Sequence, residues 1–111
     1  MLLPPDVLLC ARAGHAALVL FGPRTGAEVT PWDDLLTTTR DHLLRITEDI
    51  LSGCSPADTH ARWAARMQVN GWTYAKTSPC LCPFDALPEA EKREDRLFHA
   101  SVLAMAAALG G

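Results

Sequence analysis

The stretch PWDDL at residues 31–35 recurs as PFDAL at residues 83–87. Each copy has proline, an aromatic residue, aspartate, one variable residue and leucine. Each copy also follows a predicted helix that carries a histidine, His15 in the first case and His60 in the second. Two helix–loop–helix halves that cannot bury their own apolar faces are expected to pack together about an approximate two-fold axis. The two aromatic residues of the repeat, Trp32 and Phe84, are predicted to be structural plugs between their loops and the flanking helices.

The remaining elements follow from the start and stop signals of helices. Asp6 is placed to cap the first helix, and the sequence SPAD at residues 55–58 is a capping box with proline in the first turn. Asn70-Gly71 provides a stop after the third helix, and the alternation over residues 72–74 suits a short strand. The sequence therefore predicts a mainly α fold of two helix–loop–helix halves in pseudo-two-fold arrangement, with at most a short β-hairpin. The predicted helices cover residues 7–20, the stretch from after residue 34 to about 51, residues 56–69 and residues 88–109.

Composition narrows the class of protein. The chain has 111 residues, enough for one domain with one core. Its net charge is −3, and neither half is basic, so no nucleic-acid partner is expected. The longest apolar stretch, residues 7–21, is too short and too polar to span a bilayer, and it lacks the basic region and cleavage site of a signal peptide. We therefore expect a cytoplasmic protein without membrane contact.

The cysteines and the familiar catalytic motifs bear on chemistry. Of the four cysteines, Cys80 and Cys82 form a C-x-C pair, and Cys10 and Cys54 stand alone. We expect the cysteines to be small buried thiols. A zinc site is the less favoured interpretation, because it usually needs a second pair of cysteines and the sequence has none. The sequence has no glycine-rich phosphate loop, no H-E-x-x-H and no local cysteine–histidine pairing. We therefore expect no enzymatic activity, no cofactor and no metal.

Three further motifs carry a resemblance to a known family. They are HARWA at residues 60–64, NGWTY at residues 70–74 and PCLCPF at residues 79–84. In this order they resemble the RyR domain, the repeat named after ryanodine receptors and also found as small standalone bacterial and phage proteins. The resemblance implies a single RyR-like domain over residues 1–111, with a divergent first half at 1–53 and a well-matched second half at 54–111.

The chain departs from the family pattern at several positions. Ala61 replaces a glutamate, Ala75 a glycine, Ser78 a histidine and Phe84 a tyrosine, and the loop before Pro79 is shorter than in the family. These departures imply a ligand choice different from that of longer relatives.

A candidate ligand site combines aromatic rings with cationic side chains. Rings that share a helix face or a strand face can stack on a planar group, and arginine or lysine can contact an anion. Burial of the aromatic residues in the core is the alternative, as is a purely structural hydrogen bond for the histidine. The predicted site for a small anionic planar ligand consists of His60, Trp63, Arg66, Trp72, Tyr74 and Lys76.

Two functions from different classes follow. The resemblance implies a non-enzymatic module that binds or senses a small molecule, with an adenine nucleotide or a related metabolite as the expected ligand. The alternative is a protein–protein interaction or self-association module, such as a homodimer. Its contacts would come from the Cys80-Leu81-Cys82 loop and the leucine- and alanine-rich last helix.

Overall fold

The computed structural model describes residues 4–21, 30–71 and 81–110, and within them the protein is helical. Helix α1 covers Pro4–Phe21, α2 Thr37–Leu51, α3 Pro56–Val69 and α4 Glu89–Ala108. The prediction of a mainly α fold is confirmed, and no strand occurs in these ranges. The short strand predicted over residues 72–74 lies outside the described residues. No helix in the described ranges is long and apolar enough to cross a membrane.

The two repeated segments follow the same backbone path. Each forms one turn of 3-10 helix, Trp32–Asp34 in the first half and Phe84–Ala86 in the second. The preceding prolines have φ/ψ of −56/151° and −57/151°, and the leucines that follow have −70/145° and −66/150°. In both, the leucine N–H donates to the carbonyl oxygen of the aromatic residue, at 3.1 and 3.0 Å. A proline that fixes φ and two closely spaced turn hydrogen bonds explain why two different sequences take one conformation.

The two aromatic residues of the repeat have corresponding neighbours. Trp32 meets the ring of His15 edge-on at 5.9 Å between centroids, and Phe84 meets His60 edge-on at 6.1 Å. Both are half-buried rather than fully enclosed. Each aromatic ring therefore joins its 3-10 turn to the helix that precedes it, and the Arg96 guanidinium lies over the Phe84 ring at 5.9 Å from the centroid.

Both ends of α3 follow the sequence signals, whereas α2 begins at Thr37, two residues later than predicted, and the start of α1 also differs. Ser55 and Asp58 form both bonds of the predicted capping box, and Gly71 takes the left-handed conformation with φ of 91° after α3. The prediction that Asp6 caps α1 is wrong, because α1 begins at Pro4 and Asp6 lies within its first turn. Asp6 is therefore an acidic residue near the positive end of the helix dipole.

The core lies where α1, α2 and α4 meet. The helices α1 and α4 pack most closely at Gly14, where there is no room for a side chain. A Cβ atom at that position would lie 2.8 Å from two carbons of the Phe98 ring. The absence of a side chain at Gly14 thus allows Phe98 to lie against the backbone of α1. The buried core cluster consists of Cys10, Ile50, Phe98, Val102 and Ala106.

Candidate functional site

The structure describes three of the six predicted site residues, and all three are on α3. His60 is buried, and its ring lies 5.6 Å from that of Trp63, at an angle of 31° between the planes. Trp63 is half-buried. Arg66 follows one turn later along the same helix. The other three predicted residues, Trp72, Tyr74 and Lys76, lie outside the described residues.

Arg66 is held by a carboxylate of the neighbouring helix. Its Nη1 is 3.0 Å from Oδ2 of Asp49 on α2, and Arg62 reaches the other oxygen of Asp49 at 3.3 Å. The Nε and Nη2 atoms of Arg66 are buried, with no hydrogen-bond partner among the described residues. Arg66 therefore joins α3 to α2, and it does not line the cavity described next.

A cavity of about 250 Å³ lies between the four helices. This is slightly below the roughly 300–1,000 Å³ of typical ligand sites, so it suits a small molecule or one end of a larger one. His60 and Trp63 form part of its wall, and hydrocarbon side chains of α1 and α2 form the opposite part. The cavity is lined by Leu18, Leu43, Ile46, Ile50, Pro56, Thr59, His60, Trp63, Leu87, Glu91, Glu94, Asp95, Phe98 and His99.

The charged groups of the cavity are three carboxylates of α4. Glu91, Glu94 and Asp95 fall at helical spacing i, i+3 and i+4, so they share one face of the helix. Burial raises the pKa of Asp95 to about 6; His60 lowers it, and the charges of Glu91 and Glu94 raise it. Burial and Glu94 also raise the pKa of Glu91. The side chains are crowded enough that their charges oppose one another.

The two histidines of the cavity are oriented by backbone carbonyl groups. Nε2 of His60 is 2.8 Å from the carbonyl oxygen of Cys82, and Nε2 of His99 is 2.9 Å from that of Cys54. A carbonyl oxygen only accepts, so Nε2 carries the proton in both rings.

A corresponding bond in the first half shows that this role of histidine is architectural. Nε2 of His15 bonds the carbonyl oxygen of Thr30, the residue before Pro31, just as His60 bonds that of Cys82, the residue before Pro83. His60 thus makes the structural hydrogen bond that the sequence analysis gave as the alternative to ligand binding. His60 is at the same time part of the cavity wall.

The cysteines do not form a site in the described part of the chain. Cys10 and Cys54 are buried and Cys82 is half-buried, all as free thiols, whereas Cys80 lies outside the described residues. Burial raises the pKa of the Cys10 thiol, and Asp6 adds to this effect. Leu81 is buried, so it is not an exposed contact of the C-x-C loop. No three His, Cys, Asp or Glu side chains converge as metal ligands in the described ranges.

Comparisons with protein families, with characterised proteins and with solved structures found no match to this chain.

The acidic side of the cavity is the part that sequence reasoning missed. Glu91 and Glu94 look like the ordinary acidic start of a helix, which favours its positive dipole end. The sequence did contain one signal that these carboxylates face the interior. Glu91 lies seven positions before the core residue Phe98, which places the two on nearly the same helix face.

Proposed function

We propose that this protein is a non-enzymatic module that binds a small planar ligand in the cavity between its four helices. The observation that carries the proposal is the cavity itself, with apolar walls and a ring pair, His60 and Trp63, at its edge. Mostly apolar clefts with a few convergent polar groups are the usual form of small-molecule sites.

An adenine nucleotide or a related metabolite, the class that the RyR resemblance implies, is the ligand we propose to test first. Its planar base would enter the cavity beside Trp63, because the hydrocarbon walls favour an uncharged ring. Its phosphates would stay outside, because Glu91, Glu94 and Asp95 repel anions. Of the two cations predicted to contact the phosphates, Lys76 remains the proposed contact, because Arg66 is paired with Asp49 and does not line the cavity.

The test is calorimetric titration of the protein with adenine nucleotides and their cyclic and ribosylated derivatives. Binding should be accompanied by thermal stabilisation, about 2.7 kcal/mol at a ligand concentration 100 times the dissociation constant. Trp63→Leu should weaken binding, since it removes the ring at the cavity edge. Trp32→Leu is the matched control, because Trp32 is also half-buried but does not line the cavity. Absence of binding across the panel would overturn the nucleotide proposal.

A second function, self-association, is favoured by exposed apolar side chains on α1 and α4. Leu9 is 45% exposed, Leu20 74%, Phe21 57% and Leu103 44%. Light scattering would show a dimer, and the double variant Leu20→Lys, Leu103→Lys should shift it to monomer. A monomeric parent at high concentration would remove this alternative.

A further inference from the structure

We propose that the cavity selects a planar cation that donates N–H groups, of the amidinium or protonated aminopyridine class. The proposal rests on the proposed function of the same cavity and names the chemistry of the ligand group that enters it. It is carried by the hydrogen-bonding character of the polar side chains in the wall, together with the shape and charge of the cavity.

The polar side chains of the wall are almost all acceptors. The hydroxyl of Thr59 donates to the carbonyl oxygen of Ser55 at 2.9 Å, so its oxygen is left as an acceptor. His60 and His99 use their Nε2–H on carbonyl groups, so neither Nε2–H is left for a ligand. Ionised carboxylates only accept. Among the described lining residues, Trp63 adds an indole N–H donor to this wall. A ligand that supplies donors satisfies this set, and a ligand that supplies acceptors does not.

The charged side chains of the cavity also favour a cationic ligand. Three carboxylates line it, and neither lysine nor arginine is among its lining residues in the described part of the chain. Burial and its two acidic neighbours oppose the charge of Asp95. A bound cation would favour the charged form of Asp95. An anion would add negative charge beside these carboxylates in a partly desolvated site.

The shape and the apolar surface specify an organic cation. Leu43, Ile46 and Phe98 contribute hydrocarbon or ring surface, and Trp63 adds an aromatic face. A flat delocalised cation can use that face through a cation–π contact and loses less hydration than a compact ammonium. A bare metal ion does not suit the wall, because no three ligating side chains of the described residues converge on one point.

The experiment compares three probes that share one ring: benzamidine, which is a planar cation; benzamide, which is neutral; and benzoate, which is an anion. Each is titrated into the full chain at pH 7.5 by calorimetry, with chemical-shift mapping to locate the site. We expect benzamidine to bind at least about tenfold more tightly than benzoate, since charge-assisted hydrogen bonds are the strong ones. Signals of Trp63 and α4 should move.

Variants locate the effect within the cavity. Asp95→Asn keeps the size of the side chain, removes its charge and adds a donor, so it should weaken benzamidine binding by about tenfold. Asp41→Asn is the matched control, because Asp41 is exposed on α2 and does not line the cavity. Circular dichroism confirms that both variants are folded. If Asp95→Asn does not fold, Glu91→Gln replaces it in the titration, and we expect a smaller loss of benzamidine affinity.

Acidity supplies an independent arm of the test. Lowering the pH from 7.5 to 5 protonates Asp95 and should weaken benzamidine binding. Glu91, Glu94, His60 and His99 face the same space, and their protonation acts in the same direction. Benzamidine itself stays cationic throughout this range, so the change reports on the protein.

The outcomes separate this proposal from the function on which it rests. Preferential binding of benzamidine that depends on Asp95 supports both. Binding of benzoate, or of nucleotides by their anionic end, as tightly as benzamidine would overturn the cation preference and leave the cavity as a ligand site. Failure of every probe and every nucleotide to bind would overturn the ligand-binding function as well.

Discussion

The two halves of the molecule place different side chains at corresponding positions around the cavity. Three residues after each histidine come Leu18 in the first half and Trp63 in the second. Twelve residues after the proline of each 3-10 segment come Leu43 and Asp95, and all four side chains line the cavity. The first half therefore supplies a hydrocarbon wall, and the second half supplies an aromatic and acidic wall.

This difference separates architecture from chemistry within one chain. The 3-10 turn, the histidine bond to a carbonyl group and the edge-on ring contact occur in both halves, so they belong to the scaffold. Trp63 and Asp95 occur in only one half. Side chains that depart from the shared pattern are the ones to test for function.

The largest expected effect concerns the core position that the two halves share, fifteen residues after each proline. Phe98→Ala should lower the free energy of unfolding by about 3–5 kcal/mol, because the buried ring leaves a void against α1. Ile46→Val at the corresponding position should cost about 0.5–1.5 kcal/mol. Chemical denaturation measures both. A loss from Ile46→Val as large as that from Phe98→Ala would contradict the prediction.

The next prediction concerns the residues that precede the two histidines, Gly14 and Thr59. Gly14→Ala should destabilise the fold by about 1–3 kcal/mol, because the added Cβ would lie 2.8 Å from the Phe98 ring. In a Phe98→Leu background the same change should cost much less. A loss that persists in that background would mean that the ring is not the obstacle. Thr59 has room for its side chain, which bonds the carbonyl oxygen of Ser55.

The third prediction concerns a substitution that makes the acidic wall of the cavity more like the hydrocarbon wall. The pKa of Asp95 is raised from 3.8 to about 6, so folding favours its protonated form, and its contribution to stability is fully present below pH 3.8. That contribution is lost as the pH rises through 6. Asp95→Leu, which copies Leu43, should therefore increase the stability of the protein at pH 7.5 relative to the parent, by about 1–3 kcal/mol. The gain should shrink towards pH 4. Thermal unfolding across pH 4–8 would contradict the prediction if the gain were independent of pH.

The smallest expected effect concerns the basic residue nine positions after each proline. Arg40 donates to the carbonyl oxygens of Trp32 and Asp33, at 3.2 and 2.7 Å. Lys92 occupies the corresponding position in the second half and pairs with Glu89 at 3.4 Å. Arg40→Ala should cost about 1 kcal/mol, and Arg40→Lys should recover part of it, as measured by thermal unfolding. Full recovery by lysine would show that the planar guanidinium is not needed.

Local signals predicted the scaffold well and the cavity poorly. The capping box at Ser55, the stop at Gly71 and the shared backbone path of the two repeated segments depend on residues within a few positions of one another, so the sequence contains the whole interaction. The pairing of Arg66 with Asp49 depends on how α3 lies against α2. The carboxylates of α4 likewise become a cavity wall only once α2 and α3 pack beside them. Tertiary packing of this kind has no local signature.

The close packing of α1 against α4 also determines when the protein can fold. Gly14 and Phe98 are separated by most of the chain, and the contact between their helices is the most extensive in the described structure. Contacts between residues so distant in sequence require a large loop to close before they contribute any stability. During synthesis on the ribosome, α1 emerges long before α4, its main partner, exists. The apolar face of α1 must therefore stay exposed until α4 has left the exit tunnel, and that interval is when the chain is most open to aggregation or capture by chaperones.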